Sequence, residues 1–84
     1  MNYTVSLSRE AIKTLKRVDQ KLENRMLKKL RSLENDPKGK GKALKNFQGL
    51  YSLRVGSWRI IYIVNEGEQN VYAVAISPRG QAYR

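Results

Sequence analysis

The chain has 84 residues, 17 of them Lys or Arg against 7 Asp or Glu, for a formal charge of +10 with no His and no Cys. That inventory excludes disulfides, thiolate metal sites, thiol nucleophiles and imidazole acid-base chemistry, and it leaves Arg, Lys, Tyr, Ser and carboxylates to carry any catalysis. A charge this large on a short chain points to a polyanionic partner, with a solubilising surface as the plainer alternative. The length fits one domain, residues 1–84, whose folding hides only about 60 to 65 per cent of the unfolded surface, so the expected core is small. No stretch approaches the roughly 18 to 20 apolar residues of a membrane span. The basic residues are spread along the chain rather than flanking one bulky apolar helix face, so no membrane partner is expected and the expected location is cytoplasmic.

In chain order, Tyr3, Val5 and Leu7 alternate with Thr4 and Ser6 and predict a short half-buried strand. Ser8 suits a helix N-cap, with Glu10 favourably placed in the first turn. Ala11, Ile12, Leu15 and Val18 then recur at helical spacing, and the series resumes as Leu22, Met26, Leu30 and Leu33. A break near Asp19 gives a helical hairpin, although no Gly or Pro marks it and one continuous helix over 9–35 also satisfies the period. Asn35-Asp36-Pro37 ends the helical region, because the residue before a proline is pushed out of the α conformation. Lys38-Gly39-Lys40-Gly41-Lys42 follows as a flexible loop bearing three ammonium groups. It is either a phosphate contact or a solvated linker, and it lacks the spacing of a nucleotide-binding cradle.

From Leu50 the period switches to two. Leu50 to Val55 and Trp58 to Val64 flank Gly56-Ser57, a two-residue connection with Gly first that predicts a type II′ hairpin. Asn65 to Asn70 forms a polar turn, and Val71 to Ile76 a fourth strand before Ser77-Pro78. The predicted class is α+β: an N-terminal strand and a helical hairpin packed on a mainly antiparallel four-stranded sheet. The hairpin also fixes a register, with Val55 opposite Trp58, Arg54 opposite Arg59, and Leu53 opposite Ile60. Alternation then sends Leu53, Val55, Trp58, Ile60 and Tyr62 toward the helices and sets Arg54 beside Arg59 on the other face. Facing guanidiniums repel unless an anion sits between them, so the pair is a candidate anion site. Arg79, just past Pro78, can return to that face, and Tyr83 can follow it.

The run from Leu53 to Tyr62 resembles the signature of the RelE/ParE toxin family, an Arg-x-Gly-x-x-Arg-Ile-x-Tyr pattern at this hairpin. Ala11-Ile12-Lys13-Thr14-Leu15, Asp36-Pro37, Leu44-Lys45 and the closing Arg79 and Tyr83 fall in family order, so the resemblance covers nearly the whole chain. It implies a bacterial or archaeal toxin neutralised by a cognate acidic antitoxin. RelE-like members cut messenger RNA in the ribosomal A site; ParE-like members poison DNA gyrase and lack the catalytic set. The chain is similar to the RelE branch. Arg59 stands where those enzymes keep the arginine that stabilises the reacting phosphate, and Arg79 and Tyr83 stand near their C-terminal arginine and tyrosine. Arg54 occupies a position often held by Lys or Arg, and Lys45 resembles a basic residue that contacts RNA. Ser52 departs from members with Lys or Glu there, which leaves the general base unassigned. The reading is a metal-independent, cofactor-free endoribonuclease acting on messenger RNA held in the 30S A site. A gyrase inhibitor without nuclease activity and a non-toxic RNA-binding module are the alternatives. No carboxylate cluster suited to magnesium is visible in the sequence.

Overall fold

The computed structural model describes residues 2–44 and 49–78. Along the chain run β1 (Thr4–Leu7), α1 (Arg9–Arg17), α2 (Gln20–Ser32), α3 (Pro37–Lys40), β2 (Lys42–Ala43), β3 (Leu50–Val55), β4 (Trp58–Asn65) and β5 (Asn70–Pro78). The strands form one sheet in the order β1-β5-β4-β3-β2, with β1 parallel to β5 and the other pairs antiparallel. The α+β class and the helical layer are as expected, but the sheet has five strands rather than four. The addition lies in the segment predicted as a lysine-rich loop, where Lys42 pairs with Ser52 and Ala43 with Tyr51. Two residues are too few to show a period. The preceding Pro37–Lys40 turn is helical, started by Pro at its N-terminus and capped by the Asp36 carboxylate, which accepts from the Gly39 N–H at 3.1 Å.

The helical segment is two helices. Val18 and Asp19 are both extended, and the Asp19 side chain accepts from the Leu22 N–H at 2.8 Å, so a single aspartate starts α2 without help from Gly or Pro. Ser8 does the same for α1, accepting from Ala11 N–H at 3.0 Å while donating its own hydroxyl proton to the Val74 carbonyl at 2.7 Å. Val74 is free to accept there because it is the extra residue of a β-bulge: Ile61 pairs with Ala75 and Tyr62 with Ala73. The bulge shifts the alternation of β5, so that Val71 and Ala73 and then Ile76, rather than Ala75, face the helices.

One apolar cluster fills the space between the helices and the sheet. Ala11, Leu15, Met26, Leu30 and Leu33 come from the helical side, and Leu53, Val55, Ile60, Tyr62, Val71, Ala73 and Ile76 from the strands. Full burial of such aliphatic side chains contributes about 1.5 to 3 kcal/mol each. Tyr51 and Tyr62 stack across β3 and β4 with ring centroids 5.6 Å apart. The Tyr62 hydroxyl donates to the Pro37 carbonyl at 2.5 Å, fastening the short α3 turn to the middle of the sheet.

Candidate functional site

The face of the sheet turned away from the helices is built in rows, because residues paired across strands share a face. Arg54, Arg59 and Ser77 form one row across β3, β4 and β5; Ser52, Ile61 and Ala75 form the next; Leu50, Ile63 and Tyr72 form the third. Gly56 has φ 61°, the left-handed value demanded at the first position of a type II′ turn, and this two-residue connection sets Arg54 directly opposite Arg59. Arg54 is exposed and Arg59 half-buried.

A second element brings further cations to the same place. β2 pairs Lys42 with Ser52, which puts Lys42 on the arginine face. The chain can run that close because residue 41 has no side chain: a Cβ at Gly41 would fall on the Tyr62 hydroxyl and 2.7 Å from the Ser52 carbonyl oxygen. The result is a pocket of about 250 Å³ lined by Lys40, Gly41, Lys42, Ser52, Arg54 and Arg59. Among the described residues its lining holds four cationic side chains and no carboxylate, a concavity suited to phosphate oxygens. A larger cavity of about 540 Å³ lies between the helical hairpin and the end of the sheet, lined by residues including Val18, Leu22, Trp58 and Ile76. It is mainly an apolar cleft whose one Arg is offset by Asp19, so the smaller pocket is the better candidate for anion chemistry.

Of the residues singled out in the sequence, Arg54, Arg59, Lys40 and Lys42 converge. Lys38 does not line this pocket. It forms an ion pair with Glu66, and that hydrogen bond raises its pKa above the ordinary lysine value. Lys45, Arg79 and Tyr83 lie outside the described residues. Gly41 and Ser52 belong to the pocket wall without having been chosen as site residues; the Gly-Lys alternation of 39–42 was the available signal for the first. Tyr62, the last residue of the hairpin signature, turns inward. Burial, reinforced by the negative charge of nearby Tyr51 and Asp36 when ionised, pushes its phenol up to about 12, as befits a buried structural donor.

The model of the family described as "ParE toxin of type II toxin-antitoxin system, parDE" matches residues 5–83. This chain belongs to the RelE/ParE toxin family. Toxin RelE of Mycobacterium tuberculosis is 31% identical over 84 residues, covering 98% of this chain and 87% of that protein. Among solved structures, the archaeal RelE-RelB complex from Pyrococcus horikoshii OT3 superposes with a TM-score of 0.83 at 28% identity, covering 98% of this chain and 100% of its match. The intact E. coli RelBE toxin-antitoxin complex gives 0.82 at 19% identity over 98% and 99%, a likeness of fold alone. Within this RelE/ParE toxin, the signature's first and second arginines are therefore Arg54 and Arg59 of the cationic pocket, and its tyrosine is a core residue.

Proposed function

We propose that this toxin is a metal-independent endoribonuclease that cleaves messenger RNA in the ribosomal A site, and that an acidic antitoxin neutralises it. The observation that carries the proposal is the pocket in which Arg54, Arg59, Lys40 and Lys42 converge on one face of the sheet, beside the β3-β4 hairpin. Attack of a ribose 2′-hydroxyl on the adjacent phosphorus places extra negative charge on the phosphoryl oxygens, and preorganised cations aimed at those oxygens lower the barrier. Arg59 serves the reacting phosphate and Arg54 shares its charge, while Lys40 and Lys42 hold neighbouring phosphates. By family resemblance, Arg79 and Tyr83 complete the set, and β5 ends one residue before Arg79. Guanidiniums do not give up protons in proteins, so Arg54 and Arg59 stabilise charge and the general base must be another group. Rate then leans on in-line positioning of the substrate, and a ribosome that holds the messenger rigidly supplies it.

The antitoxin half of the proposal is supported by relatives crystallised as RelE-RelB complexes. A second reading, a gyrase inhibitor without nuclease activity, is favoured by the ParE description of the matching family model. Incubating purified toxin with ribosomes carrying a defined messenger, and in parallel with gyrase and relaxed plasmid, separates the two. The proposal expects messenger cut in the A-site codon and unimpaired supercoiling. Intact messenger with blocked supercoiling decides for the gyrase reading.

A further inference from the structure

The third row of the outer face is unlike the first. Ile63 and Tyr72 are 40% and 41% exposed, the largest apolar groups left open on this face among the described residues, and Leu50 beside them is half-buried. They are paired in register, Leu50 with Ile63 and Ile63 with Tyr72, so they form one continuous shelf across three strands. Tyr72 is an outward residue between Val71 and Ala73, both fully buried against the helices, and among the described residues its hydroxyl has no hydrogen-bond partner. The Tyr72 ring thus presents an open face on a strand paired on both sides. The shelf lies two rows from the cationic pocket on the same face: Ile63 is four residues along β4 from Arg59, roughly 13 Å at the ordinary rise of a strand, with the fully buried Ile61 in the row between. An extended single strand of RNA covers that span within a few nucleotides.

We propose that Tyr72 is a stacking platform for a messenger base a few nucleotides from the phosphate gripped by Arg54 and Arg59, with Ile63 supporting the flank of the same base. The inference rests on the reading of this face as an RNA-binding surface and adds a residue that orients the strand. Charge complementarity selects the occupant. A row of cations two rows from an exposed tyrosine on one sheet face matches a backbone of phosphates bearing splayed bases, the arrangement by which sheet faces bind single-stranded RNA. Stacking needs a π face but no particular base, so Tyr72 contributes binding and strand direction rather than sequence readout.

The test is single-turnover cleavage on programmed ribosomes across a range of toxin concentrations, for the parent, Tyr72→Phe, Tyr72→Leu and Arg59→Ala, with melting temperatures beside them. Tyr72→Phe keeps the ring and is expected to match the parent. Tyr72→Leu keeps apolar bulk but loses the π face. Its half-saturating concentration is expected to rise roughly 5- to 150-fold, the range of losses when one base-aromatic stack is removed, with the saturated rate and the melting temperature unchanged. A messenger with one abasic nucleotide, walked along the positions near the cut, is expected to show one position whose loss weakens the parent yet adds nothing in Tyr72→Leu. If Tyr72→Leu saturates like the parent while Arg59→Ala still lowers the rate, the stacking role is overturned and the nuclease reading stands. If the parent leaves messenger uncut, both fall. If Tyr72→Leu instead loses only its complex with the antitoxin, the shelf is a protein interface and the proposal is wrong.

Discussion

Arg59 and Arg54 sit opposite each other across a two-residue turn, and like charges in that relation destabilise a sheet. Arg59→Ala removes no core volume and relieves that repulsion, so its melting temperature is expected to hold or rise slightly. Deleting a charge-stabilising donor from a reacting phosphate typically lowers the rate by about 10² to 10³, and single-turnover cleavage is expected to fall by that much. A residue with a purely structural role gives the opposite pairing, lower stability with activity following it. Tyr62 behaves in the contrary way. Tyr62→Phe leaves the Pro37 carbonyl without its donor and is expected to cost about 1 to 3 kcal/mol of stability without removing a pocket cation. Its pH dependence has a definite sign. The folded phenol titrates near 12 and the free one near 10, so the unfolded chain loses its proton first. The stabilisation is complete below about pH 10 and disappears as pH rises from there toward about 12, a loss on the order of 2 to 3 kcal/mol. Denaturant melts of the parent and Tyr62→Phe between neutral and alkaline pH should therefore converge; a constant gap would show that the phenol is not held neutral. The arginine pair was legible in the sequence because Gly56-Ser57 leaves one register. The Tyr62 bond was not, since nothing local links a strand residue to a carbonyl 25 positions earlier.

At the scale of elements, the sequence pattern identified β1, both long helices and the β3-β4-β5 meander, each long enough to show a period. It left the junction of α1 and α2 open because apolar spacing runs through it; the deciding group is the Asp19 carboxylate on the Leu22 N–H. Asp19→Ala is expected to cost about 0.5 to 2 kcal/mol in thermal or urea melts, with little effect on saturated cleavage. The lysine-rich segment is where the pattern fell short. Its one helical turn and two-residue strand are defined by contacts with β3 and β4, which no local period reports. Gly41 is the hinge of that arrangement. A methyl group there meets the Tyr62 hydroxyl and the Ser52 carbonyl, and relief requires β2 to lift from the sheet, carrying Lys40 and Lys42 away from Arg54 and Arg59. Gly41→Ala is expected to lose about 1 to 3 kcal/mol of stability through overpacking. It is also expected to lower cleavage at temperatures where the variant is still folded. Full activity in a folded Gly41→Ala protein would show that Lys40 and Lys42 do not act from this pocket.

For the molecule as a whole, a charge of +10 on 84 residues acts at long range, and the four cations of the pocket focus that field onto one face of the sheet. On the proposed function two anions compete for it, the messenger backbone and an acidic antitoxin. An antitoxin segment that neutralises the toxin by covering this face must therefore carry acidic groups, and its approach should be steered by the same field that draws RNA. Electrostatic steering raises association toward about 10⁸ to 10⁹ M⁻¹s⁻¹ at low salt, against about 10⁵ to 10⁶ without it. Screening shortens the reach of the field from about 10 Å at 0.1 M salt to about 3 Å at 1 M, so the on-rate should fall steeply over that interval while the off-rate, set by close packing, changes far less. Substituting one exposed pocket cation, Lys42→Ala, should lower the on-rate and flatten its salt dependence with little effect on dissociation. Stopped-flow association of the purified partners over a salt series measures both constants. An on-rate indifferent to salt, or a partner with a net positive charge, would mean that the antitoxin does not use this face, and that neutralisation works by a route other than occupying the phosphate site.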